Sequence, residues 1–219
     1  MKLNIENIKK ESRAKYFASV VGKSTVNKES EEYKATEQLT KFLLKEGFGV
    51  VHGGYAGGIM QAVSDTANNF INENNLSKNL NIGVPQEQHD GLWDRVKNAR
   101  FTNVAKNIFE RLEAVTSADI VVVSPLGGDG TDLEQNVIFH ENIVKTGMNK
   151  YGNEKYNEKL TPLIFFQTKN GTDWKSLITT KMQILDTSSK SLENHKDWLY
   201  FVSSIEDFEI LIKNLKNNL

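Results

Sequence analysis

The sequence predicts an α/β fold, a doubly wound parallel sheet held between two helix layers. Three observations carry that prediction. Short apolar runs alternate with helical periods along the 219 residues, no linker or internal repeat divides them, and two glycine-rich turns each join an apolar run to a helix start. Strand then helix, repeated, specifies parallel strands covered on both faces. A chain of this length buries a full sheet in one core, so residues 1–219 are expected to form a single three-layer αβα domain, with residues 1–15 as an N-terminal extension.

Tyr16–Val21 is an apolar run and the first expected strand. Gly22-Lys23-Ser24 then ends like a P-loop, but that motif needs a glycine five positions before Gly22, where Phe17 stands. Gly22–Thr25 is therefore read as a βα turn that can offer a hydroxyl or a lysine to a ligand. Ser30 is placed to cap a helix running to Glu46, with apolar positions at Ala35, Leu39, Phe42 and Leu43. Phe48–His52 is the second strand, and Ile59–Ile71 the helix behind the first glycine segment. Leu80–Val84 is the third strand. After it, Pro85–Arg100 is irregular, contains Trp93 and begins at the carboxyl end of a strand, so it is expected to line or cover a ligand site. A helix over Val104–Thr116, a strand over Ile120–Ser124 and a helix over Thr131–Thr146 come next. The polar stretch Met148–Lys159 reads as a surface excursion. Leu163–Phe166, Trp174–Ile184, Leu199–Val202 and Ile205–Leu215 complete the pattern as strand, helix, strand, helix.

Composition excludes several classes of function. A net charge of −1, with charges interspersed and a pI near 6.5, argues against binding nucleic acid by phosphate neutralisation. With no cysteine there is neither a disulfide framework nor a thiolate metal site, and His52, His89, His140 and His195 show no ligand spacing, so no metal is expected. Met1–Lys15 has no apolar core of a signal sequence, and no run reaches membrane-spanning length. A cytoplasmic enzyme or binding protein is the expectation.

The two glycine segments carry the functional signal. Gly53-Gly54-Tyr55-Ala56-Gly57-Gly58-Ile59-Met60 follows the second strand, and Gly127-Gly128-Asp129-Gly130-Thr131 follows the fourth, 74 residues later. A strand, a glycine turn and a helix N-terminus together make an anion site, because bare N–H groups and the positive end of the helix dipole converge. Two such units point to a ligand bearing a phosphate. Gly127, Gly128 and Gly130 permit backbone angles closed to other residues and let a phosphate approach the main chain, with Thr131 adding a hydroxyl. Structural readings stand beside these: Thr131-Asp132-Leu133-Glu134 also fits a capping box, and Gly53-Gly54 a plain tight turn with Met60 in the core.

Taken together, the GGxxxGxM segment, a strand ending in Gly83-Val84-Pro85, an Arg-bearing helix and the GGxGTxxE loop resemble the LOG ("lonely guy") family. Those proteins are Rossmann-like cytokinin riboside 5′-monophosphate phosphoribohydrolases and related nucleotide hydrolases. The resemblance runs from about Tyr16 to the C-terminus. It implies a catalytic pair, Arg111 and Glu134, with Gly53, Gly54, Gly58, Met60, Gly127, Gly128, Gly130 and Thr131 holding the phosphate and nucleotide. Leu112 stands where the family has Lys, and Leu126 separates Pro125 from Gly127. Only four of the 27 basic residues are arginines, Arg13, Arg95, Arg100 and Arg111, which makes an arginine at the family's position harder to dismiss as incidental. Its structural alternative is a surface ion pair on an amphipathic helix.

The implied reaction cleaves the N-glycosidic bond of a nucleoside 5′-monophosphate, of AMP or N6-modified AMP type, to free base and ribose 5-phosphate, without metal or organic cofactor. A carboxylate near the anomeric carbon would stabilise oxocarbenium character and polarise water. A guanidinium stays protonated, so Arg111 would orient the substrate and offset charge on the leaving base. Two other readings remain. GGDGTxxE is similar to the nucleotide loop of diacylglycerol and NAD kinases, although a large β-rich domain should then come after it. The fold could also serve a carrier or sensor that binds a nucleotide-like ligand without cleaving it, as in molybdenum cofactor carriers. Family likeness further implies a homodimer, with Val104–Thr116 and Thr131–Thr146 as the natural surface.

Overall fold

Six of the apolar runs become strands of one sheet. In the computed structural model, which describes residues 5–101, 104–150, 159–184 and 192–219, β1 (Tyr16–Val21), β2 (Phe48–His52), β3 (Asn81–Gly83), β5 (Ile120–Val123), β6 (Leu163–Phe166) and β7 (Leu199–Val202) all run parallel. A two-residue strand, β4 (Arg100–Phe101), adds an edge, giving the order β4-β3-β2-β1-β5-β6-β7. Without β4 this is the 3-2-1-4-5-6 order of a Rossmann-like doubly wound sheet. Register is set along the centre by pairs such as Ala18↔Val50 and Ala18↔Ile120, and β1, β2, β3, β5 and β6 are buried throughout. That burial explains why the strands read as continuous apolar runs rather than alternating ones.

Helices cover the sheet. They are α1 (Ile5–Ser12), α2 (Glu31–Lys45), α3 (Gly58–Glu73), α4 (Ile108–Thr116), α5 (Asp129–Lys150), α6 (Trp174–Ile184) and α7 (Ile205–Lys216). α2 packs against α3 and α7, while α4 packs against α5, as two layers require. The Ser30 hydroxyl caps α2 by accepting from the Tyr33 N–H at 3.2 Å, and Lys216 of α7 donates to the Glu46 carboxylate beyond the other end of α2 at 2.7 Å. The core runs the length of the sheet, with Phe17, Phe48, Phe165, Phe166 and Phe208 among its fully buried side chains.

The N-terminal segment is more than a tail. α1 buries Ile5 and Ile8 in the core, and Lys9 pairs with Asp119 at 2.9 Å. Other expectations shift at their edges. α4 starts at Ile108, where the Asn107 side chain accepts from the Glu110 N–H at 3.0 Å, so Val104–Lys106 is loop. α5 starts two residues before Thr131 and continues to Lys150, so the expected excursion over Met148–Lys159 begins inside a helix, and 151–158 lie outside the described residues. A helix that includes Asp129 places Thr131 within its first turn, which removes the capping box: a cap residue must precede the helix.

Candidate functional site

β1 and β5 are sheet neighbours whose following connections run to opposite sides, and a crevice opens beyond their carboxyl ends. Three loops meet there. The Lys23 N–H donates to the Leu126 carbonyl at 2.9 Å, and the Ile59 N–H at the start of α3 donates to the Lys23 carbonyl at 3.0 Å. The Ser124 hydroxyl also donates to the Leu126 carbonyl, at 3.0 Å, so the residue inserted between Pro125 and Gly127 ties two loops together. Gly22 makes the approach possible: a Cβ on it would lie 2.1 Å from the Ser124 Oγ and 2.7 Å from Ile59.

The resulting cleft has a volume of about 890 Å³. Arg111 reaches it from α4 and Glu134 from α5, and they meet: Arg111 Nη1 donates to Glu134 Oε1 at 2.9 Å, with side-chain exposures of 11% and 6%. Burial raises the Glu134 carboxyl above the usual carboxylate range, against the opposing charge and hydrogen bond of Arg111. The surface ion pair considered for Arg111 is thus replaced by a nearly buried one. The Arg111 Nε is buried and donates to no atom among the described residues. Its guanidinium carbon also lies 6.0 Å from the centroid of the Tyr55 ring.

Of the other residues singled out in the sequence, Gly53, Met60, Gly127, Gly128, Gly130 and Thr131 line the same cleft. Gly54 and Gly58 do not, and backbone sterics account for both. Gly54 has φ +84°, and a Cβ there would sit 2.8 Å from the Pro85 nitrogen. Gly58, at φ +50°, packs α3 onto the first turn, where a Cβ would come within 2.3 Å of the Lys23 carbonyl. Gly53 leaves room for the arginine: a Cβ would lie 2.3 Å from Arg111 Nη2 and 2.6 Å from Met60 Sδ.

The second segment does not use the backbone freedom that its glycines permit. None of Gly127, Gly128 and Gly130 has a positive φ. Space, not backbone angle, explains the first of them, since a Cβ on Gly127 would strike the Trp174 indole at 2.3 Å, and that indole in turn donates to the Ser124 carbonyl at 3.0 Å. Gly128 and Gly130 leave the first turn of α5 bare, and its N–H groups have no partner within the helix. Lys23, Ser24 and Thr25 line the cleft as well. This end can receive an anion, although the Asp129 carboxylate shares it.

Sequence reading missed one supporting residue, His52, the last of β2. It is fully buried, accepts from the Gly54 N–H at Nδ1 (3.1 Å) and faces the Asn81 Oδ1 from Nε2 (3.1 Å). The acceptor role of Nδ1 puts the proton on Nε2. Asn81 donates onward to the Ser64 carbonyl at 3.1 Å, so the turn that leads Gly53 under Arg111 rests on a buried polar network. Burial pushes the imidazole down to about 4, the Asn81 hydrogen bond opposing and the Arg111 charge adding to the shift. The signal in the sequence was a histidine ending an otherwise apolar strand, beside the glycine pair.

Pro85–Arg100 does lie over the cleft. Gln86, His89, Leu92, Trp93 and Asp94 contribute to its wall. Among the described residues no cluster of three or more His, Asp or Glu side chains could hold a metal ion, and no helix is long and apolar enough to cross a membrane.

A Rossmann-type fold with a cleft at its switch point is the class these features define. No protein-family model matches the chain, and no curated protein matches its sequence. Solved structures do share the fold. One is the molybdenum cofactor binding protein from the phototrophic bacterium Rippkaea orientalis, at 18% identity and TM-score 0.58, covering 93% of this chain and 99% of that one. Another is the molybdenum cofactor carrier protein from Chlamydomonas reinhardtii, at 14% identity and TM-score 0.59 over 93% and 99% of the two chains. A third is DNA processing protein A from Helicobacter pylori, described for its single-stranded DNA binding, at 15% identity and TM-score 0.51 over 94% and 84%. At identities this low, the structural likeness shows a common fold alone.

Proposed function

We propose that the cleft binds a nucleoside 5′-monophosphate and hydrolyses its N-glycosidic bond, as the likeness to the LOG family implies. The observation that supports this best is the meeting of Arg111 and Glu134 at 2.9 Å, from two different helices, beside a helix N-terminus suited to an anion. In the reaction the bond between the base nitrogen and C1′ breaks with its electrons leaving on the base. Water adds to C1′, and its proton passes to solvent or to the base. Glu134, as carboxylate, stabilises the positive charge on the ribose and aligns the water. Arg111 holds Glu134 in place and offsets charge developing on the leaving base. The bare first turn of α5, with Lys23 and Thr131, anchors the phosphate and positions the scissile bond through remote binding energy.

A second reading has its own support. Two structures covered over 99% of their length are named for binding or carrying the molybdenum cofactor, and a carrier would use the same anion-binding end without turnover. The GGDGT kinase reading loses ground because the described chain beyond α5 is strand and helix of the same sheet.

The test is to incubate the purified protein with a panel of nucleoside 5′-monophosphates, beginning with AMP, and to quantify free base and ribose 5-phosphate. Base release that disappears in Glu134→Gln supports the hydrolase. Binding by calorimetry without release from any nucleotide favours the carrier.

A further inference from the structure

We propose that Trp93 is the platform on which the planar base of the nucleotide stacks. This rests on the nucleotide reading above and deepens it.

The chain has three tryptophans, and two are core residues: Trp174 is 2% exposed and Trp198 1%. Trp93 is 57% exposed, and its neighbour Leu92 73%. So much apolar surface at a loop tip would ordinarily suggest a frayed segment, but this loop is fixed at several points. The Ala56 N–H donates to the Asp94 carbonyl at 2.8 Å, the Val96 N–H to the Gly54 carbonyl at 3.1 Å, and the Glu87 N–H to the Ala105 carbonyl at 2.7 Å. Arg95 pairs with Asp90 across the tip.

Two rings already pack against the indole. His89 lies 4.4 Å from Trp93 between centroids and Tyr55 5.4 Å, both edge-on. The Tyr55 hydroxyl accepts from the Gln86 N–H at 2.6 Å, which fixes its ring. An indole braced by two rings, largely exposed and lining the cleft, is a pre-organised stacking surface, with little side-chain entropy left to lose on binding.

The occupant is set by the groups that adjoin the platform. Tyr55 also faces the Arg111 guanidinium, so the aromatic group continues into the Arg111–Glu134 pair, and that pair into the α5 N-terminus. A ligand with its phosphate at α5 and its anomeric carbon at Glu134 carries its base toward Trp93. Aromatic stacking tolerates any planar base, and the exposed Leu92 beside it suits an apolar substituent on the base's edge.

The test uses the whole chain in the Glu134→Gln background, which prevents turnover. AMP should quench the exposed Trp93 fluorescence, and ribose 5-phosphate, which lacks a base, should not. By calorimetry Trp93→Ala should weaken AMP about tenfold or more while leaving ribose 5-phosphate unchanged, and Trp93→Phe should recover most of the loss. The proposal is overturned if Trp93→Ala binds AMP as tightly as its parent, if it loses AMP and ribose 5-phosphate equally, or if AMP does not bind at all. Failure of the hydrolase reading is seen separately: AMP that stacks on Trp93 but releases no base from the unmutated protein removes the activity and keeps the platform.

Discussion

Acidification should unfold this protein in a way that can be traced to one side chain. His52 is completely buried and held neutral, with its imidazole pushed down from 6.5 to about 4. Between those values the unfolded chain binds a proton that the folded chain refuses. The stability contributed by neutral His52 is therefore fully present above pH 6.5 and is lost as pH falls toward about 4. The whole depression corresponds to about 3 kcal/mol, of which about 2 kcal/mol is lost between roughly pH 7 and pH 5. Glu134 works in the opposite sense, because a carboxyl raised by burial favours the folded state at low pH and loses that contribution as pH rises through its folded value. Comparison with a His52→Asn variant separates the two. Asparagine retains an acceptor for the Gly54 N–H and cannot be protonated. Urea denaturation of both proteins from pH 7 to pH 5, at constant ionic strength, should show the variant less stable at pH 7 and the gap shrinking by about 2 kcal/mol at pH 5. Equal pH slopes in the two proteins would refute the reasoning and assign the acid sensitivity to other groups.

Three further outcomes are expected. Arg111→Ala should destabilise by about 3 kcal/mol in chemical denaturation, because it leaves the Glu134 carboxylate buried without its partner, and adding Glu134→Gln should restore most of that loss. Gly58→Ala should destabilise by at least about 2 kcal/mol, since the new Cβ meets backbone at a positive φ, whereas Gly53→Ala meets only the movable ends of Arg111 and Met60 and should reduce ligand turnover more than melting temperature. Asp129→Asn should tighten binding of ribose 5-phosphate several-fold by removing a like charge from the anion end, with the gain shrinking as salt is raised.

The parallel sheet was legible because each central strand is buried on both faces and so appears as an uninterrupted apolar run between glycine and polar turns. β4 was not: two residues, Arg100 and Phe101, carry no period, and their pairing is set by β3. α1 was hidden for a related reason, since Ile5 and Ile8 are too few to show a helical stripe until they meet the core. Within the site, Arg111 and Glu134 were found through family likeness, and their separation in sequence said nothing of their distance in space. The glycines had the opposite fault. They were conspicuous in sequence, but a glycine chosen for a positive φ, as at Gly54, looks the same as one chosen to admit a side chain, as at Gly53 or Gly127. His52 was read only as a strand residue without metal-ligand spacing, because a neutral buried imidazole occupies a strand position much as an apolar residue does.

The space that Gly53 leaves for the Arg111 guanidinium bears on how this chain can diverge. With the arginine in place, a side chain at position 53 must displace the ends of Arg111 and Met60; once the arginine is lost, only Met60 has to give way. The two positions are thus coupled, and a change at one alters what the other tolerates. A side chain at position 53 is therefore less costly in a chain that has already lost the arginine at 111.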